Sequence, residues 1–308
     1  MAAEQPNNIK KPLCVGLLAH VDAGKTTLSE AMLYEAGARR TLGRVDHQDA
    51  FLDTHALERA RGITIFSKQA LLETEHRAVT LVDTPGHVDF SAEAERIMPV
   101  LDCAVLVISG TDGVQAHTLT LWRLLERYQV PAFLFLNKMD LPGMGKEKLL
   151  AELRQQLSPA CADFTASPEE IAENAAMCDE ALLENYLETG GVTEGNLRAL
   201  IAGRKLFPCC FGSALKLEGV GTLLDILDKY APETAYPGEF AAKVYKISRD
   251  PQGNRLTWLK VTGGSLKVRS VLCYVNQKNE PREEKIVQLR RYSADKFTAP
   301  EEVAAGQL

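Results

Sequence analysis

Two periodicities divide the chain near residue 235. Before that point, short continuous apolar runs alternate with stretches of helical spacing; after it, apolar and polar positions alternate singly between frequent turn residues. The runs Leu13–Leu18, Ala78–Val82, Asp102–Ser109, Ala132–Leu136 and Leu206–Phe211 read as strands. Asp102–Ser109 is unbroken rather than alternating, as a strand covered on both faces of a parallel sheet must be. A further strand is expected from about Thr64 to Glu73, as the hairpin partner of Ala78–Val82. Helical spacing follows at Leu28, Ala31, Met32 and Glu35. It recurs over Gln115–Tyr128 with Leu119, Trp122 and Leu125 on one face, through Lys146–Gly203, and over Gly219–Tyr230. Ser167-Pro168-Glu169-Glu170 predicts a helix start. From there Ile171, Ala175, Cys178, Leu182 and Tyr186 trace one core-facing stripe, ended by Gly190-Gly191.

Strands alternating with helices predict a doubly wound, mostly parallel α/β sheet. Pro232–Gly238 has linker composition, and beyond it Ala242–Ser248, Leu256–Val261, Ser265–Val275 and Glu284–Leu289 predict a small all-β barrel. No closing strand is evident before Leu308, and an open barrel leaves an edge, so a piece of a longer protein is expected. The resulting organisation is a disordered tail over 1–8, an α/β domain over 9–231, a linker over 232–239 and a truncated β-barrel over 240–308.

Composition adds bounds. Hydrophobic residues make up 45% and charged residues 25% of 308, ordinary for a globular chain with a sizeable core. A formal net charge of −6 gives no overall basic signature for nucleic acid, so any RNA contact must be local; Lys285, Arg290, Arg291 and Lys296 are the candidates. Seven cysteines include no C-x-x-C pair and sit partly inside apolar runs, which favours reduced thiols and a cytoplasmic setting. The polar start is neither signal nor transit peptide, and no apolar run is long enough to span a membrane.

The chemistry concentrates where strands end. Ala19-His-Val-Asp-Ala-Gly-Lys-Thr-Thr27 follows one strand and opens a helix, the context of a phosphate-binding loop whose amides and helix N-terminus favour an anion. Ala19 stands where that pattern usually has glycine, which suits a backbone kept at negative φ. Ala23, Gly24, Lys25, Thr26 and Thr27 are expected around the phosphates, with Lys25 on the terminal ones and Thr26 on Mg²⁺. Asp83, ending a strand in Asp83-Thr84-Pro85-Gly86-His87, is the second Mg²⁺ contact. Gly86 can bring its amide to a γ-phosphate, and His87 falls near an attacking water. The polar connection over 38–63 has the length to close over a nucleotide and open again. Asn137-Lys138-Met139-Asp140 adds base specificity: the Asp140 carboxylate can accept from both N1–H and the exocyclic amine of guanine, while Asn137 and Lys138 brace the loops and cover the ring. Gly212-Ser213-Ala214 can offer amides to the guanine O6. This base-reading set disfavours an ATP-using kinase.

These motifs, in this order and joined to a β-barrel, resemble the translational GTPases, elongation factor G in particular, from about Ile9 to Leu308. Arg61-Gly62-Ile63-Thr64-Ile65 belongs to the same set. The fold this implies is a P-loop NTPase G domain followed by domain II. Leu42-Gly43-Arg44-Val45-Asp46, Asp53-Thr54 and Leu57-Glu58-Arg59 look most like the tetracycline ribosomal-protection branch, as does the short span between Asp140 and Gly212. Asn137-Lys-Met-Asp140, Arg255-Leu-Thr-Trp258 and the C-terminal residues lean the other way. The resemblance implies Thr64 as a further Mg²⁺ contact, Val21 and Ile63 as an apolar gate beside His87, and Asp22 near the phosphates or a monovalent cation. It also implies GTP hydrolysis to GDP and phosphate, slow alone and fast on the ribosome, where rRNA orients His87. Ribosomal RNA and proteins are the implied partners, and a monomer is expected. Residues 41–64 and 84–100 would order around the γ-phosphate. Three functions are compatible: a factor that displaces tetracycline, an elongation factor G-type translocase or other elongation-type factor, and a nucleotide-gated binding module whose hydrolysis is incidental.

Overall fold

The computed structural model describes residues 10–43, 51, 67–87, 89, 91–250, 252–275 and 278–308. The chain divides into two compact units, Met1–Glu233 and Thr234–Leu308, the division falling inside the 232–239 segment. The tail over 1–8 and the connection over 44–50 and 52–66, with Ile63 and Thr64, lie outside the described residues.

The first unit is a seven-stranded sheet of order β2-β3-β1-β4-β5-β7-β6. Its strands are β1 (Lys11–Ala19), β2 (Lys68–Glu73), β3 (Arg77–Asp83), β4 (Cys103–Ser109), β5 (Ala132–Asn137), β6 (Cys161–Asp163) and β7 (Phe207–Phe211). Among the described residues, only the edge strand β2 runs antiparallel, paired to β3 as a hairpin; every other neighbour is parallel. All residues of β4 and β5 are buried, which explains why both read as unbroken apolar runs. The helices are α1 (Lys25–Glu35), α2 (Ser91–Ile97), α3 (Ala116–Arg127), α4 (Lys146–Gln156), α5 (Pro168–Ala176), α6 (Glu180–Thr189), α7 (Glu194–Ala202) and α8 (Val220–Tyr230). One core cluster joins Leu18, Leu106, Ile108, Leu134 and Leu136 of the sheet to Leu121, Trp122 and Leu125 of α3. Trp122 meets Phe207 edge-on at 4.7 Å, an arrangement favoured by the ring quadrupoles. The α3 face is shifted from the expected one: Leu119 is half-buried, whereas His117, Thr118, Leu121, Trp122 and Leu125 are buried.

The expected single helix after Ser167 is two. Ser167 does cap α5, accepting from the Glu170 amide at 3.3 Å, but α5 stops at Ala176. Asp179 then caps α6 with extended backbone and its own carboxylate on the Leu182 amide. A carboxylate within an apolar stripe looks like a solvent-facing helix position, yet its preference for the N-cap won. Along the stripe Ala175 and Leu182 are buried, and Ile171, Cys178 and Tyr186 only half-buried. The short β6 carries too few residues for periodicity to reveal it.

At the N-terminal end of the parallel strands, Arg77 is only 2% exposed. Its guanidinium donates to the carbonyls of Ala231 at 2.9 Å and Asp228 at 3.3 Å. These lie at the C-terminal end of α8, where orphan carbonyls and the dipole favour a cation. Arg198 donates to Lys229 O at 2.8 Å, and the Asp228 carboxylate accepts from Thr74 Oγ1 and the His76 amide. Glu233 takes Lys11 at 2.7 Å and Arg198 at 3.4 Å.

Among the described residues, the ladders of the second unit are all antiparallel. Its ladders are β8 (Ala241–Arg249) with β9 (Arg255–Gly263), β10 (Ser265–Lys267) with β15 (Glu302–Ala304), β11 (Val271–Val275) with β12 (Pro281–Lys285), and β13 (Arg291–Ser293) with β14 (Lys296–Thr298). The expected strand Ser265–Val275 is cut in two by a turn in which Arg269 adopts φ 69° and Ser270 Oγ bonds Lys267 O at 2.6 Å. The expected strand Glu284–Leu289 instead runs over Pro281–Lys285. Ile286 and Leu289 pack on the small core of Val261, Leu266 and Val303 from outside any strand, so their apolar character reflects burial of a loop. A late strand, β15, pairs with β10 in a two-stranded ladder; its three residues are too few to read from the sequence.

Candidate nucleotide site

Because the strands are parallel, their C-terminal ends share one edge, and the register aligns the motifs there. Leu17 lies opposite Asp83, Ala19 opposite Val107, Ser109 opposite Asn137, and Leu136 opposite Phe211. Loops that leave such an edge are where open α/β sheets bind ligands.

The first loop leaves β1 at Ala19, which sits in strand conformation and not at positive φ, so the missing glycine brings no strain. Asp22 turns the chain at φ 60° and Gly24 at φ 90°, and Gly24 caps α1. A Cβ on Gly24 would stand 2.2 Å from the Asn137 amide nitrogen, so this position needs glycine for both conformation and space. Lys25 ion-pairs with Asp83; the two are 7% and 0% exposed. Thr26 and Thr27 are half-buried in the first turn, Val21 is half-buried and Asp22 exposed. Thr84 is fully buried and donates from Oγ1 to Leu17 O at 2.6 Å, tying the end of β3 to β1. A Cβ on Gly86 would approach Ala19 O to 3.2 Å. His87 points half into solvent, its Nδ1 accepting from the Asp89 amide at 3.2 Å.

Asn137 joins both halves of the edge. Its amide donates to Ala23 O at 2.9 Å, and its carbonyl accepts from the Ala214 amide at 2.9 Å. Lys138 takes φ 62°, and Met139 N bonds Gly212 O at 3.0 Å, so the loops after β5 and β7 are stitched together. A Cβ on Gly212 would meet Glu218 O at 2.1 Å. The Ser213 hydroxyl, and then Lys216 at 3.4 Å, hold the Asp140 carboxyl below the usual carboxylate range. Asp140 is therefore an acceptor at neutral pH, and Ser213 and Ala214 are buried beside it. Asp112, on the loop after β4, is also held low, chiefly by Ser109 and Thr111, with Lys138 adding to the effect.

The structure thus gathers Asp22, Ala23, Gly24, Lys25, Thr26, Thr27, Asp83, Gly86, His87, Asn137, Lys138, Asp140, Ser213 and Ala214 along one edge. One buried residue there had no part in the motif reading. His117, in the first turn of α3, faces His20 with ring centroids 6.2 Å apart. The available signal was a histidine four residues before Leu121 and eight before Leu125, on the buried side of an amphipathic helix.

Comparison with known proteins gives this edge a family. The tetracycline resistance protein TetM of Streptomyces lividans is 35% identical over 300 residues, 88% of this chain and 47% of that protein. The oxytetracycline resistance protein of Streptomyces rimosus is 36% identical over 285 residues, 83% of this chain and 43% of that protein. TetS of Listeria monocytogenes is 34% identical over 281 residues, 84% and 43% respectively. The chain therefore spans less than half the length of these relatives. A crystal structure of a Thermus thermophilus protein superposes with a TM-score of 0.84 and 25% identity, over 96% of this chain and 51% of that one. The family described as the elongation factor Tu GTP binding domain matches residues 10–233. The match takes in every strand and helix that delivers a loop to this edge, and on that ground the chain belongs to the elongation factor Tu GTP-binding domain family.

Proposed function

We propose that the chain binds GTP at the C-terminal edge of its sheet and, as part of a ribosome-associated translation factor, hydrolyses it to GDP and phosphate. The observation that carries this reading is the Asn137 side chain, which fixes the phosphate loop to the base-reading loop in one geometry. A site for one ligand needs that rigidity between its ends. Asp140, ionised and braced by Ser213, accepts from the guanine N1–H and amine; Lys138 covers the ring, and the Ser213–Ala214 turn receives the O6. The amides of Asp22 to Thr27 cradle the phosphates, and Lys25 leaves Asp83 for their terminal oxygens. The buried Asp83 carboxylate and the half-buried Thr26 hydroxyl beside the loop fit a hard cation. Thr26 and Asp83, with Thr64, would hold Mg²⁺, which neutralises charge on the phosphate oxygens when bound. Asp22 would serve near the phosphates or a monovalent ion. Gly86 gives the γ-phosphate an amide, His87 orients the attacking water, and Val21 and Ile63 flank it as an apolar gate.

The named relatives make tetracycline protection the favoured cellular role, with rRNA and ribosomal proteins as partners and a cytoplasmic monomer as the working form. Asp140→Asn should move preference from guanine towards xanthine nucleotides by about 10²-fold or more, the scale expected when a buried polar pairing is lost; unchanged GTP preference in a competition assay removes the base-reading role. His87→Ala should bind GTP normally but lose ribosome-stimulated turnover, which partners can raise by up to about 10⁵-fold. Turnover equally stimulated in the variant would exclude His87. No stimulation of the full-length wild type by 70S ribosomes would leave a nucleotide-gated binding module. Stimulated turnover without tetracycline resistance in cells would point to a translocase.

A further inference from the structure

The hydrolysis reading leaves unused the most unusual polar feature of the nucleotide edge. His117 is 4% exposed, and among the described residues neither of its ring nitrogens has a hydrogen-bond partner. Across from it, at 6.2 Å between centroids, the Nδ1 of His20 is also buried and without a partner among the described residues. Buried polar atoms are nearly always paired, so each exception requires an explanation. Packing alone would be served better by an apolar side chain of similar size, since removing an unsatisfied group can be neutral or stabilising.

Placement supplies the explanation. His20 links β1 to the phosphate loop, and His117 occupies the second position of α3, on the side of the sheet edge where β1 and β4 are neighbours. His87 lies close enough to act on His117 electrostatically. Burial first, and then His20 and His87, pull the His117 imidazole below its ordinary pKa. The amino end of a helix acts in the same direction by disfavouring a cation. A neutral imidazole offers one donor and one acceptor at fixed positions, and here both are held in reserve near the residue assigned to the attacking water.

We propose that His117 is a positioning residue for GTP hydrolysis: its buried imidazole hydrogen-bonds, directly or through one water, to His87 and His20 when the Gly86–His87 turn closes on the γ-phosphate. The inference rests on the hydrolysis reading above. It assigns His117 no proton transfer and no contact with the nucleotide.

The test pairs opposite effects in the full-length protein. His117→Phe should melt at or above the wild-type temperature and bind a non-hydrolysable GTP analogue with unchanged affinity. Its ribosome-stimulated kcat should fall at least tenfold while KM for GTP stays constant. His117→Gln, which keeps a donor and an acceptor, should recover most of the rate. A kcat for His117→Phe within twofold of wild type overturns the proposal, as does a Gln variant no better than Phe. Should the Phe variant not fold, the imidazole ¹⁵N resonances of wild-type His117 decide. They should shift between the GDP and GTP-analogue forms, and identical spectra overturn the proposal. If the wild type itself shows no GTP turnover, the hydrolysis reading falls and takes this inference with it; wild-type turnover with an unaffected Phe variant defeats this inference alone.

Discussion

The two ends of the parallel sheet use their polar groups differently. At the N-terminal end, Arg77 closes the orphan carbonyls of α8, Thr74 and the His76 amide hold Asp228, and Lys11 and Arg198 converge on Glu233. At the C-terminal end a lysine and an aspartate are buried together, three histidine nitrogens lack partners among the described residues, and Asp22, Gly24 and Lys138 are turned to positive φ. Among the described residues, the named groups at one end are paired with one another, and several at the other end are not. The same strands carry both, so the contrast follows from loop sequence rather than from strand packing. Unsatisfied groups are common at ligand sites, and the three histidine nitrogens adjoin the candidate nucleotide edge, while a helix end lying against neighbouring elements needs its carbonyls closed.

The largest effect should come from the C-terminal end. Lys25→Ala removes one partner of a buried ion pair and should destabilise the fold, by at most about 3–5 kcal/mol. Tight GTP binding should vanish at the same time; calorimetry showing intact affinity would mean the phosphate loop is misassigned. Arg77→Ala separates the two ends. Losing charge-assisted bonds to Ala231 and Asp228 should cost about 2–3 kcal/mol in denaturant unfolding, with GTP affinity unchanged. A matching loss of affinity would show that the ends are coupled.

The smallest effect belongs to Glu233, which is partly exposed. A hydrogen bond from Lys11, and then Arg198 and Arg77, hold its carboxyl below the usual range. A depressed carboxylate contributes stability above its unfolded pKa and loses that contribution as pH falls through the folded value. Glu233→Gln should therefore be less stable than wild type at pH 7 by under about 1 kcal/mol, the scale of solvent-screened pairs. The difference should disappear in unfolding curves taken below about pH 4, the ordinary glutamate range. A difference that persists there would assign the effect to packing.

Much of this molecule was written locally. The unbroken run from Cys103 to Ser109, the helical spacing across α3 and α8, and the motifs placed after β1, β3, β5 and β7 are short-range patterns, and burial on a parallel sheet reads them directly. The break between α5 and α6 was also encoded locally, in Asp179, but two preferences of one residue competed, and only the folded chain shows which prevailed. Asn137, assigned to bracing the loops, turned out to join Ala23 to Ala214. The pairing of Arg77 with Ala231, and that of His117 with His20, had no local signature, although the burial of His117 did. Such pairings depend on the strand order, which brings together residues far apart in the chain. Periodicity along a sequence determines which face of an element is buried; which polar groups meet across that burial is decided only when the elements assemble, because a directional bond depends on the position of both partners and hydrophobic burial does not.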